Sequence, residues 1–160
     1  MDFTIRIATP ADATAARAVV LPVLESYGLR PEPEGTDADL FDLEAAYFRR
    51  GGAFWVAEDG SGRIVATCGL CPVDERVIEL RKMYVHPDAR RQGIARRLLA
   101  LALAFARERG FERVELETAS VLREAIALYR KSGFLPRPGA VAVARCDQAF
   151  VLDLGNLPRA

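Results

Sequence analysis

The chain has 160 residues, of which 51% are hydrophobic and 28% are charged, and this balance is typical of one globular domain. Lysine and arginine number 22, aspartate and glutamate also number 22, and the formal net charge is therefore zero. A chain with no net charge exerts no general attraction on nucleic acid or on an anionic membrane, so we expect neither as a partner.

The compartment and the cysteines are interpreted together. No apolar run approaches the roughly 20 residues that span a bilayer, and residues 1–6 lack the features of a secretory signal. We therefore expect a cytoplasmic protein whose three cysteines are free thiols. Cys68 and Cys71 form a C-x-x-C, but a second such pair is missing and His86 is the only histidine. We interpret the pair as structural and expect no metal site.

The first half of the chain predicts a strand, two helices and a loop. Apolar and polar residues alternate over residues 3–8, as in a half-buried strand. Thr9 and Pro10 have the N-cap and first-turn positions of a helix that continues to about residue 25. A loop rich in proline and glycine follows over 28–35. Apolar residues at helical spacing then predict a second helix from residue 36 or 37 to about residue 50.

The central segment predicts an antiparallel meander. Residues 53–58 and 63–71 have strand composition and are separated by the turn Asp59-Gly60-Ser61-Gly62. A further strand is expected over 76–85, after a short turn.

The second half begins with a β-α-β crossover. A basic loop leads from the strand at 76–85 into a long amphipathic helix at 93–109, and a strand follows at 112–118. Such a crossover places its two strands parallel to each other. The remaining expected elements are a helix over 121–132 and two short strands, near 140–145 and over 148–154.

The loop between strand and helix is the most informative segment. It contains Arg90-Arg91-Gln92-Gly93-Ile94-Ala95 at the start of the long helix. The first turn of a helix has unpaired N–H groups and partial positive charge, which favour phosphate, and glycine lets a ligand approach the backbone. Two interpretations are open: a cradle for a pyrophosphate, or a solvated basic helix start.

Two motifs resemble those of a known family. Arg90-x-x-Gly93-x-Ala95 is similar to the [Q/R]-x-x-G-x-[G/A] signature of the GNAT acetyltransferases. About 30 residues later, Ala125-Ile126-x-Leu128-Tyr129-x-Lys131-x-Gly133-Phe134 resembles the A-x-x-L-Y-x-x-x-G-F segment of that family. The resemblance covers roughly residues 3–154. It implies a single GNAT domain over 1–160, with a mixed sheet of six to seven strands flanked by about four helices.

The resemblance implies acetyl-CoA as the cosubstrate and no metal. In such proteins the signature loop holds the pyrophosphate, and the pantetheine arm lies beside the strand that precedes it. An N–H near Met83 would stabilise the oxyanion of the thioester carbonyl. The implied cofactor-binding residues are Met83, Tyr84, Val85, Arg90, Arg91, Gln92, Gly93, Ile94, Ala95, Ser120 and Tyr129.

The same resemblance implies two catalytic residues. Tyr129 matches the family tyrosine that protonates the leaving thiolate, although it could instead pack its ring beside the cofactor. Glu79 matches a family glutamate that takes the proton of the acceptor directly or through water, although it could instead be an exposed strand carboxylate or a partner of Arg81. Glu117 and solvent are the alternative bases. This sequence departs from the family pattern at Leu122, where many relatives have an asparagine that binds the pantetheine arm. Ser120, Thr118 or main chain could substitute.

Residues 32–44 contain six acids and no base. These acids could attract a cationic acceptor, but a solvated helix start is the favoured interpretation because acids there complement the helix dipole. The resemblance implies direct acetyl transfer to a primary amine of a small molecule or peptide, by a protein that could form a homodimer. The alternatives are a catalytically silent acyl-CoA-binding module and an acyltransferase with a longer acyl donor or an oxygen acceptor.

Overall fold

The structure is a computed structural model that describes residues 2–156. Seven strands and three α-helices make up its regular framework. They are β1 Phe3–Ile7, α1 Ala13–Ser26, β2 Ala53–Asp59, β3 Ile64–Pro72, β4 Val77–Val85, α2 Ile94–Glu108, β5 Arg113–Thr118, α3 Arg123–Lys131, β6 Leu135–Pro136 and β7 Gln148–Asp153.

All seven strands form one sheet in the order β1-β2-β3-β4-β5-β7-β6. β4 and β5 run parallel, and the other neighbouring strands run antiparallel. The expected mixed sheet, with a meander followed by a parallel pair, is therefore confirmed. Within the described part of the chain, no helix is long and apolar enough to cross a membrane.

Each face of the sheet is covered by its own apolar cluster. α2 buries one stripe, which includes Leu98 and Leu99, against β3 and β4. Each such buried leucine contributes about 1.5–3 kcal/mol of hydrophobic stabilisation. α1 covers the opposite face. Cys68 and Cys71 are both buried and belong to different clusters, as residues three apart on a strand should.

Two expected elements differ from the structure. Residues 36–50 do not form one α-helix, but a 3₁₀-helix at Ala38–Phe41 and a π-helix at Glu44–Phe48. The break lies at Asp42, whose extended backbone lets its carboxylate cap the N–H of Ala45 at 3.0 Å.

The prediction of a strand near 140–145 is also wrong. The N–H groups of Ala142 and Val143 donate to the side chain of Glu117 rather than to a strand. The short β6 pairs with β7 in its place.

β4 and β5 diverge soon after they begin. Their pairing extends only from Val77↔Arg113 to Glu79↔Glu115, although β4 continues to Val85. β5 stays paired with β7 over its whole length. Main-chain groups of β4 beyond Glu79 therefore face a gap rather than the neighbouring strand.

A bulge in β4 adds to the divergence. Lys82 has a φ of +53°, and the pairing between β3 and β4 shifts register between Thr67 and Gly69. The Thr67 hydroxyl donates to the Lys82 carbonyl at 2.6 Å and so holds the bulge in place. A positive φ at a lysine is unfavourable by itself, so it persists where neighbouring contacts fix it.

Candidate active site

The gap between β4 and β5 opens into a cavity of about 520 Å³. This volume lies within the range of roughly 300–1,000 Å³ that is usual for small-molecule sites. α1, β4, α2, β5, α3 and the loop before β7 all contribute to its lining.

One end of the cavity is the N-terminus of α2. Gly93 precedes the helix with a φ of +77°, and Arg91 is also left-handed at +64°. Within residues 2–156 no side chain caps the first turn of the helix, so its N–H groups are open to an anion. Arg90 is fixed beside them, because its Nε donates to the Val85 carbonyl at 3.3 Å and its guanidinium lies over the Tyr27 ring.

Tyr129 is one of the residues that line the cavity. The residue is 5% exposed, and its ring packs against Phe134 and Phe150 at centroid distances of 5.7 and 6.4 Å. Its hydroxyl has no hydrogen-bond partner among the described residues. Burial, followed by the nearby Tyr84, raises the pKa of Tyr129 well above its ordinary value near 10. Tyr129 therefore keeps its proton at neutral pH.

Two glutamates line the cavity on the diverging strands. The carboxylate of Glu79 on β4 pairs with the Nε of Arg81. Glu117, near the end of β5, accepts N–H hydrogen bonds from Ala142 and from Val143, the latter at 3.0 Å. Glu117 therefore anchors the loop before β7, whereas Glu79 pairs with a side chain of its own strand.

A buried ion cluster lies beside the cavity, and two of its members, Lys82 and Arg145, line it. Asp37 is fully buried and accepts two hydrogen bonds from Arg145, at 2.6 and 2.7 Å. Lys82 Nζ lies 3.3 Å from the same carboxylate and donates to the Thr36 carbonyl at 3.1 Å. Burial alone would raise the pKa of Asp37, but Arg145, the Glu32 N–H and Lys82 together lower it. Asp37 is therefore ionised and not solvated.

Comparison with known proteins identifies the family of this chain. The model of the Acetyltransferase (GNAT) family matches residues 20–134. The chain belongs to the GNAT acetyltransferase family. As a member of this family it is an acyltransferase. The resemblance of its two motifs to those of the GNAT acetyltransferases is therefore confirmed.

Relatives and solved structures agree with the family. The GNAT chain is 40% identical over 128 residues to the uncharacterized N-acetyltransferase YjgM of Escherichia coli (strain K12), a match that spans 77% of this chain and 76% of that protein. It spans about half of the length of the mammalian N-acetyltransferase 8 relatives, at 35–38% identity.

The fold is shared with solved GNAT structures. The acetyltransferase of the GNAT family from Staphylococcus aureus Mu50 has a TM-score of 0.88 at 21% identity, with 96% of this chain and 99% of that chain covered. YncA of Salmonella typhimurium, solved with acetyl-CoA, has a TM-score of 0.74 at 21% identity, with 100% and 98% covered.

The structure brings most of the motif-derived GNAT residues to one cavity. Gln92 and Ser120 do not line it, and Ser120 instead hydrogen-bonds the Asp147 carboxylate through its N–H and hydroxyl, at 2.8 and 2.7 Å. Leu122 and Thr118 do line it. The lining also includes Glu79, Met83, Tyr84, Val85, Arg90, Arg91, Gly93, Ile94, Ala95 and Tyr129.

Sequence reasoning missed the buried ion cluster of this GNAT chain. The favoured interpretation of Asp37 as part of a solvated helix start is wrong, because the residue is buried. Its partner Arg145 is 108 positions away, and no motif links the two. The available signals were Lys82, which follows Arg81 directly and so interrupts the polar–apolar alternation of its strand, and the acidic run at residues 32–44.

Proposed function

We propose that this chain transfers the acetyl group of acetyl-CoA directly to a primary amine of a small molecule or peptide. The observation that carries the proposal is the divergence of β4 and β5, which opens one cavity onto an uncapped helix N-terminus and the phenol of Tyr129. The acetyl-CoA bound to YncA and the N-acetyltransferase names of the relatives support the same donor and reaction.

The residues that line the cavity fit both the pyrophosphate and the pantetheine arm of acetyl-CoA. The first-turn N–H groups of α2, with Arg90 and Arg91 beside them, would hold the pyrophosphate. Main-chain groups of β4 around Met83 have no β5 partner and would pair with the pantetheine arm. An N–H near Met83 would stabilise negative charge on the thioester oxygen.

The proposed transfer is one addition followed by one elimination. Glu79 accepts a proton from the acceptor ammonium, which leaves a neutral amine. The amine nitrogen attacks the acetyl carbonyl carbon, the N–C bond forms and the C–S bond then breaks. Tyr129 donates its proton to the departing sulfur and regains one from solvent or from the product amide nitrogen. The products are an acetamide and CoA.

The thiol in the cavity supports direct transfer without an acyl-enzyme. Cys146 lines the cavity, and burial, followed by the charge of Glu117, raises its pKa to about 11. The thiolate is the nucleophilic form, so a thiol that is protonated at neutral pH is a poor nucleophile. Direct attack by the amine requires no such group.

The test of the proposed function is release of CoA from acetyl-CoA across a panel of amines. The panel contains a polyamine, an aminoglycoside and a lysine-bearing peptide, each with an acetylated form as the matched control. We expect a free thiol only with the free amines. Binding of acetyl-CoA with no CoA release for any amine would favour the silent binding module instead.

Tyr129→Phe is expected to lower kcat roughly 100-fold, the effect of losing one positioned general acid. The ring keeps its packing on Phe134 and Phe150, so the affinity for acetyl-CoA should change less than twofold. Steady-state kinetics and calorimetric titration measure the two quantities. Turnover at the wild-type rate would remove the acid role from Tyr129.

Glu79→Gln is expected to flatten the rising limb of the pH profile of kcat/KM, because the amide cannot accept the acceptor's proton. Glu115→Gln is the matched control: Glu115 lies opposite Glu79 on β5, pairs with Arg137 at 2.8 Å and does not line the cavity. An unchanged profile in Glu79→Gln would assign the proton transfer to Glu117 or to solvent.

A further inference from the structure

Glu79 and Arg81 form an ion pair on the wall of the cavity. Both residues line it, and the Arg81 Nε donates to a carboxylate oxygen of Glu79. Residues two apart on a strand point to the same face, and a side chain shares its face with its partner on the neighbouring strand. The β3 partner of Glu79 is Cys71, which belongs to the apolar cluster that α1 covers. The ion pair therefore lies on the α1 side of the sheet.

The ion pair uses only part of the hydrogen-bonding capacity of its two side chains. A guanidinium has five N–H donors, and a carboxylate has two acceptor oxygens. Within residues 2–156, Nη1 and Nη2 of Arg81 and Oε2 of Glu79 have no hydrogen-bond partner. The side chains are 32% and 26% exposed, and among the described side chains only Asp39 Oδ1 is both fully buried and without a hydrogen bond. The free ends of the ion pair are therefore accessible to a ligand.

The other charged residues that line the cavity have protein partners or lie elsewhere. Lys82 and Arg145 bind Asp37, and Lys82 also pairs with Asp39 at 3.3 Å. Glu117 anchors the loop before β7. The rest lie around the start of α2 or at the start of α3, and they are Arg90, Arg91, Arg96 and Glu124. Among the described side chains of β4, the ion pair is therefore the one that presents free charged ends to the cavity.

An ion pair with two free ends is complementary to a zwitterion. The Nη groups of Arg81 can hold a carboxylate through parallel N–H hydrogen bonds, the geometry that a guanidinium favours. Oε2 of Glu79 can accept a hydrogen bond from an ammonium group at the same time. Because the two side chains are in contact, the two charged groups of the ligand must also lie close together, as they do on the α-carbon of an amino acid. A zwitterion pairs both ends and adds no net charge to the site.

We propose that Arg81 binds the carboxylate of the acceptor, and that the acceptor is therefore a free α-amino acid. Its ammonium group lies against Glu79, which takes its proton in a later step. Arg81 thus determines specificity, and it disfavours simple amines and the lysine side chains of peptides, which have no carboxylate beside the amine. This inference rests on the proposed function for the role of Glu79, but binding of an amino acid can be measured without turnover.

The first experiment measures binding alone, by saturation-transfer NMR on protein loaded with CoA. The probes are L-leucine, L-glutamine and L-phenylalanine, each paired with its amide, at a pH where both forms carry an ammonium group. We expect at least one amino acid to bind roughly tenfold more tightly than its amide or better, the effect of one charged hydrogen-bonded pair. No binding, or no preference for the carboxylate, in all of the pairs would overturn the inference without any variant.

Variants then assign the preference to one residue. Arg81→Gln should weaken binding of the amino acid at least tenfold and change binding of its amide less than twofold. Arg137→Gln is the matched control and should behave as wild type, because Arg137 also pairs with a glutamate, Glu115 at 2.8 Å, but does not line the cavity. The affinity for CoA reports whether each variant is folded.

The amide also separates carboxylate binding from a purely structural role of Arg81. If Arg81 only held Glu79 in place, Arg81→Gln would weaken the acid and the amide equally, because both present the same ammonium group to Glu79. Equal losses for the two forms, or retention of the amino acid affinity within twofold, would overturn the inference.

The second experiment separates this inference from the proposed function by measuring CoA release from acetyl-CoA with the same acids and amides. Arg81→Gln should raise the KM of the amino acid at least tenfold and leave the KM of acetyl-CoA within twofold. CoA release with the amides but with none of the amino acids would overturn the role of Arg81 and leave the proposed function standing. Amino acid binding that depends on Arg81, without CoA release from any amino acid or amine, would support the binding site and overturn the proposed function.

Discussion

Gly93→Asp is expected to abolish acetyl-CoA binding, with an affinity loss of roughly 1,000-fold. The substitution places a carboxylate at the open N-terminus of α2, where the proposed pyrophosphate site lies. Two unit charges about 4 Å apart repel by about 4 kcal/mol at the effective dielectric of a protein surface. That energy corresponds to about three powers of ten in the dissociation constant.

Gly93→Asn separates charge from shape in this experiment. A Cβ at Gly93 would have one heavy atom beyond its chain neighbours within 4 Å, the Nη2 of Arg96 at 3.6 Å, so the first side-chain atom of either residue fits without a clash. Both Asp and Asn tolerate the left-handed backbone that Gly93 adopts at +77°. Calorimetric titration with acetyl-CoA should therefore show a much smaller loss for Asn than for Asp. Equal affinities for the Asp and Asn variants would show that the loop does not bind an anion.

The parts of the fold that sequence predicted are those encoded over short distances. The meander follows from alternation and from a glycine-rich turn at 59–62, and α2 follows from an apolar stripe that begins after Gly93. The parallel pairing of β4 with β5 follows from the crossover between them. Each of these predictions needs only local pattern and chain connectivity.

The errors arose where a side chain competes with the backbone for hydrogen bonds. Leu40, Leu43 and Tyr47 keep a helical spacing and are all buried, but Asp42 caps Ala45 and divides the segment into two short helices. Residues 140–145, Ala-Val-Ala-Val-Ala-Arg, were predicted as a strand, yet Glu117 takes the N–H groups that a neighbouring strand would need. Periodicity alone does not report such competition.

The sequence predicted the part of the candidate site around Gly93 but not the buried ion cluster beside the cavity. The proposed cofactor half contains a contiguous motif, so the positions around Gly93 could be named from sequence. The buried ion cluster beside the cavity is assembled from Asp37, Lys82 and Arg145, which meet because the loops at 28–37 and 137–147 converge on β4. Lys82 has a φ of +53° at the bulge in β4, and no glycine in the strand indicates from the sequence that a bulge lies there.

The buried ion cluster also explains why the acidic run was misinterpreted. Acids at a helix start are usually solvated, and Glu34 and Asp42 are indeed exposed. Asp37 differs because two cations from distant parts of the chain converge on it. One run of similar residues therefore contains a structural ion-pair partner, a cavity-lining carboxylate and solvated charges.

Asp37→Ala is expected to destabilise the protein by about 3–5 kcal/mol, because it leaves two buried cations without their shared partner. The side chains of Lys82 and Arg145 are only 5% and 9% exposed. For a domain of this size the loss corresponds to a fall in Tm of roughly 6–20 °C. Denaturant unfolding followed by circular dichroism measures the free energy of unfolding. Glu34→Ala, an exposed acid of the same loop, should change it by less than about 0.5 kcal/mol.

A second variant and a pH series identify the cause of that loss. Asp37→Ala combined with Arg145→Met should be more stable than Asp37→Ala alone, because one buried cation is removed with its partner. The folded state lowers the pKa of Asp37 from its ordinary 3.8, so its contribution is complete above that pH and is lost as the pH falls below it. The wild type should therefore lose more stability below pH 3.8 than Asp37→Ala does. Parallel pH profiles for the two proteins would mean that the ionised carboxylate does not stabilise the fold.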